Sequence, residues 1–323
     1  MSLAYLAMSQ NLPIKEFEKQ YKDHLSGYHS WDQKGHADKW ILFENNLGPN
    51  LSIDEVAVTK DALYTVLTNK AAKGGKGSLV AIVAGTKTGE IVEVLKRIPL
   101  EKRILVKEVT LDMSNAMDAI IRESFPNVSV VTDRFHVQQL ISEAVQEIRS
   151  IERREAMKEE TAAILQAKKE KKEYKPKLYE NSDNKKQLLA RSFYLLFKPE
   201  NVWTDSQKIR AKILFKEFPK IGHAYNLSMT FRSWYETNSN KKQAGESLQK
   251  WYQKIDEENI EQFSAVAESI KVHEDTILNY FNHRSTNASA ESFNAKLKGF
   301  RTLVRGVRDI KFFLFRVGKL YGC

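Results

Sequence analysis

The chain predicts a mixed α/β sheet followed by a long all-helical stretch, and three observations carry that prediction. Between residues 51 and 84, short apolar runs are separated by turn residues. From 88 to 131 helical and strand patterns alternate, and after 137 the strand pattern stops. Successive strands tend to pair antiparallel, whereas strands that alternate with helices run parallel. The expected sheet is therefore antiparallel in its first part and parallel in its second.

Residues 1–50 are polar and aromatic, with Pro13, Gly27, Gly35 and Gly48-Pro49 as breakers and a short helix expected from Pro13 to Leu25. Trp31 and Trp40 mark the segment as one that packs onto something, since fifty residues cannot bury a core of their own. LSIDEVAVT (51–59), LYTVLTN (63–69) and SLVAIVAGT (78–86) read as three strands. The KAAKGGKG link (70–77) reads as a flexible hairpin loop and lacks the spacing of a phosphate-cradling loop. A helix is expected over Glu90–Arg97, with Thr88 as its cap. Ile104–Leu111 reads as a fourth strand ending on Asp112. Ser114 caps a helix carrying Ala116, Ala119, Ile120 and Phe125, and Pro126-Asn127 ends it. Val128–Val131 is a fifth strand, ending on Asp133.

Gln138 to about Gln166 is one helical pattern with Leu140, Ile141, Ala144, Ile148 and Ile151 on a stripe. KKEKKEYKPK (168–177) is a charge run, read as a solvated helix end or loop. Residues 187–281 are helical and aromatic-rich, and most of these aromatics fill a core. In the last segment, Asn287, Glu291, Asn294, Lys298 and Arg301 share one helical face, expected to look outward. Phe293, Leu297, Phe300 and Val304 share the opposite one, facing the sheet.

The formal charge of +10 over 323 residues raises a nucleic-acid partner above the average, and from charge alone it stands level with an ordinary basic cytosolic protein. The single cysteine, Cys323, excludes a disulfide framework and a cysteine zinc site. No apolar run approaches the ~18 residues that span a bilayer, and the start lacks a basic signal region. A cytoplasmic, nucleoid-associated protein without a membrane partner is expected.

Three carboxylates stand where a sheet would gather them. Asp54 lies within the first strand, Asp112 ends the fourth, and Glu291 heads a late helix. Carboxyl ends of strands face the ligand crevice in α/β sheets. With three antiparallel and two parallel strands, this is the ribonuclease-H-like arrangement of a two-metal phosphoryl-transfer site. Two ions about 4 Å apart would activate the attacking oxygen and stabilise the leaving one. Hard cations take oxygen ligands, so carboxylates build such a site and two Mg²⁺ (or Mn²⁺) ions are the expected cofactors. Glu55 points to the other face in a regular strand and is secondary.

The motifs SIDE (52–55), TLDMS (110–114), TDRFHV (132–137), RSFYLLFKPENVWT (191–204) and STNASAESFNAKLK (285–298) occur in the order and spacing of a known family. The chain resembles the DDE transposases of bacterial insertion sequences, specifically the ISL-three branch and its relatives in Bacteroidetes-like bacteria. The resemblance implies Asp54, Asp112 and Glu291 as catalytic and metal-binding acids, with Asp133 as the competing second acid. It also implies a helical insertion over 138–280 between two parts of the core, 51–137 and 281–323. Asp133 and His136 match a DxxH motif with a structural or DNA-contacting role. DNA contacts are expected from Asn287, Asn294, Lys296, Lys298, Arg301, Arg305 and Arg308.

The implied activity is cleavage and strand transfer at element ends, by a homodimer on DNA. A derived non-catalytic DNA-binding protein and a ribonuclease-H-like nuclease are the alternatives. Relatives carry an amino-terminal zinc finger and helix-turn-helix that this sequence lacks. A separate DNA-reading polypeptide is therefore expected, with the Trp31 and Trp40 segment as its contact.

Overall fold

In the computed structural model, which describes residues 3–59, 62–304 and 306–322, the strand expected from Leu51 forms over Asn50–Ala57 and lies inside a six-stranded sheet. The strands are β1 (Trp40–Leu42), β2 (Asn50–Ala57), β3 (Leu63–Asn69), β4 (Leu79–Ala84), β5 (Glu108–Leu111) and β6 (Ser129–Thr132). Their order is β1-β4-β3-β2-β5-β6. β1 to β4 pair antiparallel, while β2, β5 and β6 run parallel. The mixed sheet expected from the sequence is present, with one strand more than the five foreseen. The addition is β1, only three residues long, which pairs with β4 along the far edge.

Both faces of β2 are covered, and they bury different partners. Leu51 and Ile53 join Val109, Leu111 and Val130 on one face, packed with Ile91, Val92 and Leu95 of the Thr88–Leu95 helix and Met117, Ile120 and Ile121 of the Asn115–Ser124 helix. Val56 and Val58 join Val66, Leu79 and Ile82 on the other. That face is covered by Phe293, Leu297 and Phe300 of the Ala288–Leu303 helix and by Phe313, Leu314 and Val317 of the Ile310–Tyr321 helix. Burying a leucine- or phenylalanine-sized side chain is worth about 1.5–3 kcal/mol, so these two layers hold the sheet.

Three local expectations change. Lys87, not Thr88, occupies the cap position of the Thr88–Leu95 helix, without a side-chain cap bond. The apolar run from Ile104 does not extend as strand. Pro99 opens a helical turn at Leu100–Arg103, Ile104 and Leu105 are 42% and 66% exposed, and pairing begins at Glu108. Before β1 a short helix at Leu3–Ser9 is added to the one expected from Pro13 to Leu25, which forms as Ile14–Gln20 followed by a wide helical turn through Leu25. Ser114 caps its helix, accepting from the Met117 N–H. Trp31 packs edge-on against Phe315, and Trp40 stacks on His36 with Arg97 over its ring. Both indoles are therefore engaged in packing.

The chain divides into two compact units, Met1–Asp133 with Ser285–Cys323, and Arg134–Arg284. The second is the large helical insertion. It opens with a 36-residue helix, Arg134–Lys169, that buries Val137, Ile141, Ala144, Val145 and Ile148. Helices Asp205–Glu217, Pro219–Thr237, Lys241–Glu258 and Glu261–Val272 follow. Its aromatic core brings Phe231 within 4.7 Å of Trp251 and Trp234 within 4.7 Å of Phe281, centroid to centroid. Phe135 and Tyr194, at 56% and 72% exposure, stay outside it. Among the described residues no helix is long and apolar enough to cross a membrane.

Candidate active site

The parallel register brings the carboxylates into line. Ser52 pairs with Thr110 across β2 and β5, and Thr110 pairs with Val131 across β5 and β6. Two residues further along each strand are Asp54, Asp112 and Asp133. Side chains two apart share a face, so the three acids form a row at the carboxyl ends of adjacent parallel strands. The face is the one beneath the Ala288–Leu303 helix, because Val56 belongs to the cluster that this helix covers.

Each acid is held differently. Asp54 Oδ1 accepts the backbone N–H of Glu55 at 2.7 Å, and Oδ2 accepts the Asn294 side-chain amide at 2.6 Å. Asp133 is only 2% exposed and accepts the Asn287 backbone N–H at 3.3 Å, at the start of the helix. A helix start favours negative charge. Asp112 is half-buried just past β5. Glu55 is exposed, yet partial burial and the neighbouring Asp112 push its carboxyl up from the ordinary range. Loss of water is the larger cause, and the like charge of Asp112 adds to it.

Glu291 sits four residues after Asn287 and three before Asn294, so the helix carries it on the stripe that meets the row. Its side chain is exposed. Among the described residues, no three of the Asp, Glu, His and Cys side chains come close enough together to hold a metal ion. The acids are thus aligned by the sheet and bridged by the helix, but not drawn into a closed ligand set. The donor set itself, carboxylate oxygens only, suits a hard divalent cation.

Asn287 and Asn294 do not look outward as their helical face suggested. They are 1% and 6% exposed, turned towards the sheet. Neither side-chain atom of Asn287, nor Oδ1 of Asn294, has a hydrogen-bond partner among the described residues, a state that costs about 1–3 kcal/mol per buried group. Lys296 donates to the Gly74 carbonyl at 2.7 Å, and Arg301 to the Ala57 carbonyl at 2.9 Å. Lys298 and Arg308 are exposed, and Arg305 lies outside the described residues. His136, half-buried in the first turn of the Arg134–Lys169 helix, belongs to the helical unit and meets Phe135 edge-on.

Lys70 lies in the link that reads as a flexible hairpin loop, and no local pattern marks it. It opens a short turn after β3 and folds under the row. Its Nζ lies 3.3 Å from Glu108 Oε1 and donates to Thr110 Oγ1, with only 15% of the side chain exposed. Burial pushes its pKa down, against the pull of Glu108 and Asp133. Nothing local signals this role, because Glu108 and Thr110 are 38 and 40 residues away.

A mixed sheet with covered faces, acids at its parallel strand ends and a large helical insertion is a ribonuclease-H-like architecture. The family model for DDE transposases of the ISL-three type, described as transposase, matches residues 51–317. The chain belongs to this transposase family. No curated protein matches it.

Proposed function

We propose that this chain is a transposase catalytic subunit that cleaves DNA at insertion-sequence ends and joins the freed strand to target DNA. The observation that carries the reading is the alignment of Asp54 and Asp112 on adjacent parallel strands beneath the helix bearing Glu291. In cleavage, a water oxygen forms a bond to phosphorus while the bond to the 3′ oxygen breaks, leaving a 3′-hydroxyl and a 5′-phosphate. In joining, that hydroxyl attacks a target phosphodiester and displaces its 3′ oxygen. Asp54, Asp112 and Glu291 would hold Mg²⁺ or Mn²⁺, which supplies Lewis-acid activation of the attacking oxygen and charge neutralisation at phosphorus.

The chain's own residues supply position and charge. Asp54 is oriented by two N–H donors, and Asp133 fixes the start of the Glu291 helix. Lys298 and Arg308, both exposed, would take backbone phosphates, with Lys296 and Arg301 as further cations of the same segment. A homodimer on the paired ends is the matching assembly. A second reading, a non-catalytic DNA-binding derivative, draws on the absence of a closed three-ligand cluster among the described residues.

The deciding experiment is strand cleavage and joining on DNA carrying the element's ends, with Mg²⁺, Mn²⁺, Ca²⁺ or EDTA. Activity is expected with the first two and lost in EDTA. Ca²⁺ should support binding with little chemistry, because its looser coordination misplaces the reacting oxygens. Ala variants of Asp54, Asp112 and Glu291 should be inactive but folded. Cleavage by Asp112→Ala together with none by Asp133→Ala would move the second acid to Asp133. Binding without cleavage under every metal would favour the second reading.

A further inference from the structure

The Ala288–Leu303 helix lays Asn294 directly on Asp54. The amide nitrogen donates to Oδ2 at 2.6 Å while the Glu55 N–H donates to Oδ1 at 2.7 Å. With one donor on each oxygen, rotation of the carboxylate about its bond to Cβ is arrested. The orientation of the amide follows from charge. Its own Oδ1 has no partner among the described residues, and turning the amide over would set that oxygen against a carboxylate oxygen. Asn294 is also 6% exposed, so it has almost no surface to offer a DNA strand.

The choice of an amide matters. A lysine or arginine at this position would also donate, but its charge would compensate the carboxylate and weaken its pull on a cation. A neutral donor fixes the geometry and leaves the full negative charge available.

We propose that Asn294 is a positioning residue for Asp54, a neutral clamp that presents this carboxylate to a divalent cation, and not a DNA contact. The inference rests on the functional reading above. Groups that orient a metal ligand in this way typically alter affinity by about 10–100-fold when removed.

The test uses the full chain and Mn²⁺ as probe, followed by calorimetric titration and by the paramagnetic resonance signal of free Mn²⁺. Asn294→Leu keeps the volume and removes both amide groups, and Asn294→Ala is the second variant. Each should bind Mn²⁺ at least about tenfold more weakly. Cleavage should need correspondingly more Mn²⁺ while recovering near wild-type turnover at saturation, and duplex affinity in EDTA should not change. In the wild-type chain, which needs no substitution, the Asn294 side-chain amide resonance should shift on adding Mg²⁺.

Unchanged Mn²⁺ affinity in a folded Asn294 variant overturns the inference, as does an unmoved Asn294 resonance. Loss of duplex affinity in EDTA with Mn²⁺ binding intact would make Asn294 a DNA contact and overturn it too. Asp54→Asn is the separate control. If it leaves Mn²⁺ binding untouched, the functional reading of the acid row fails, whatever Asn294 does.

Discussion

Replacing Lys70 with methionine tests how the sheet tolerates charge beneath its acid row. The substitution keeps an unbranched side chain and removes the ammonium. It strands Glu108, whose side chain is 5% exposed and whose cation partner in this structure is Lys70 at 3.3 Å. Removing one member of a buried ion pair costs about 3–5 kcal/mol, because the remaining charge is left in a poorly polar setting. At about 2–4 °C per kcal/mol for a unit of this size, the sheet unit should melt about 6–20 °C lower. Scanning calorimetry in EDTA reads this directly. The double variant Lys70→Met/Glu108→Leu replaces the pair with apolar groups and should recover most of the loss, since well-packed replacements of buried pairs are often neutral.

The pH dependence has a definite sign. The folded pKa of Lys70 lies below the ordinary 10.5, chiefly because of burial. The unfolded chain therefore holds the proton more tightly, and stability rises with pH between the folded value and 10.5. That contribution is lost as pH falls through the folded value. The wild type should gain on Lys70→Met across this alkaline window. A single variant within about 1 kcal/mol of wild type would refute the reasoning, given the ~3–5 kcal/mol expected for a buried pair. A double variant no better than the single would show that stranded Glu108 is not the cause.

In the helical unit, Asp183 has no exposed side-chain surface and accepts from Arg210 Nε at 2.9 Å and from Arg191. Asp183→Asn should cost about 3 kcal/mol by denaturant titration, at the lower end for a broken buried pair. Burial alone would raise the Asp183 pKa, but the two guanidiniums hold it below the ordinary 3.8. Its stabilisation should persist above that value and fade as acid takes the pH through the folded one, a slope absent in Asp183→Asn. On DNA, Lys298→Ala should reduce the salt dependence of duplex binding by about one phosphate's worth, read as the slope of log affinity against log salt. Lys296→Ala should change it less, because that ammonium is engaged with the Gly74 carbonyl.

What the sequence disclosed is what local pattern encodes. Leu51 and Ile53 alternate with Ser52, Asp54 and Val56, which sets the two faces of β2 and makes the acid's face readable. Ser114 and Pro126 bracket their helix by chemistry that acts within a few residues. The features that were not readable depend on distant partners. β1 is three residues whose only strand signal is pairing with Val83, Ile82 and Ala81 of β4. Ile104 and Leu105 are apolar enough for a strand, but no neighbour strand is in register there, and they stay exposed. Periodicity grouped Asn287 and Asn294 with Lys298 correctly. It could not show that the near end of that stripe lies over carboxylates, which turns two amides inward while Glu291 and Lys298 remain exposed.

The same geometry explains why an amide-bearing helix, rather than a purely apolar one, closes this end of the sheet. Three aspartates in one row repel one another, and an apolar cover would leave them without donors. The Ala288–Leu303 helix answers with an amide on Asp54, and the backbone N–H of Asn287 at its cap meets Asp133, while Phe293, Leu297 and Phe300 supply the packing. One stripe thus serves the acids and the adjacent stripe serves the core. A one-residue shift of the helix in one direction would set Phe293 on Asp54, and in the other it would turn Asn294 into the core. The pairing of Asn294 with Asp54 therefore fixes the rotational setting of Glu291 along with that of the carboxylate it touches.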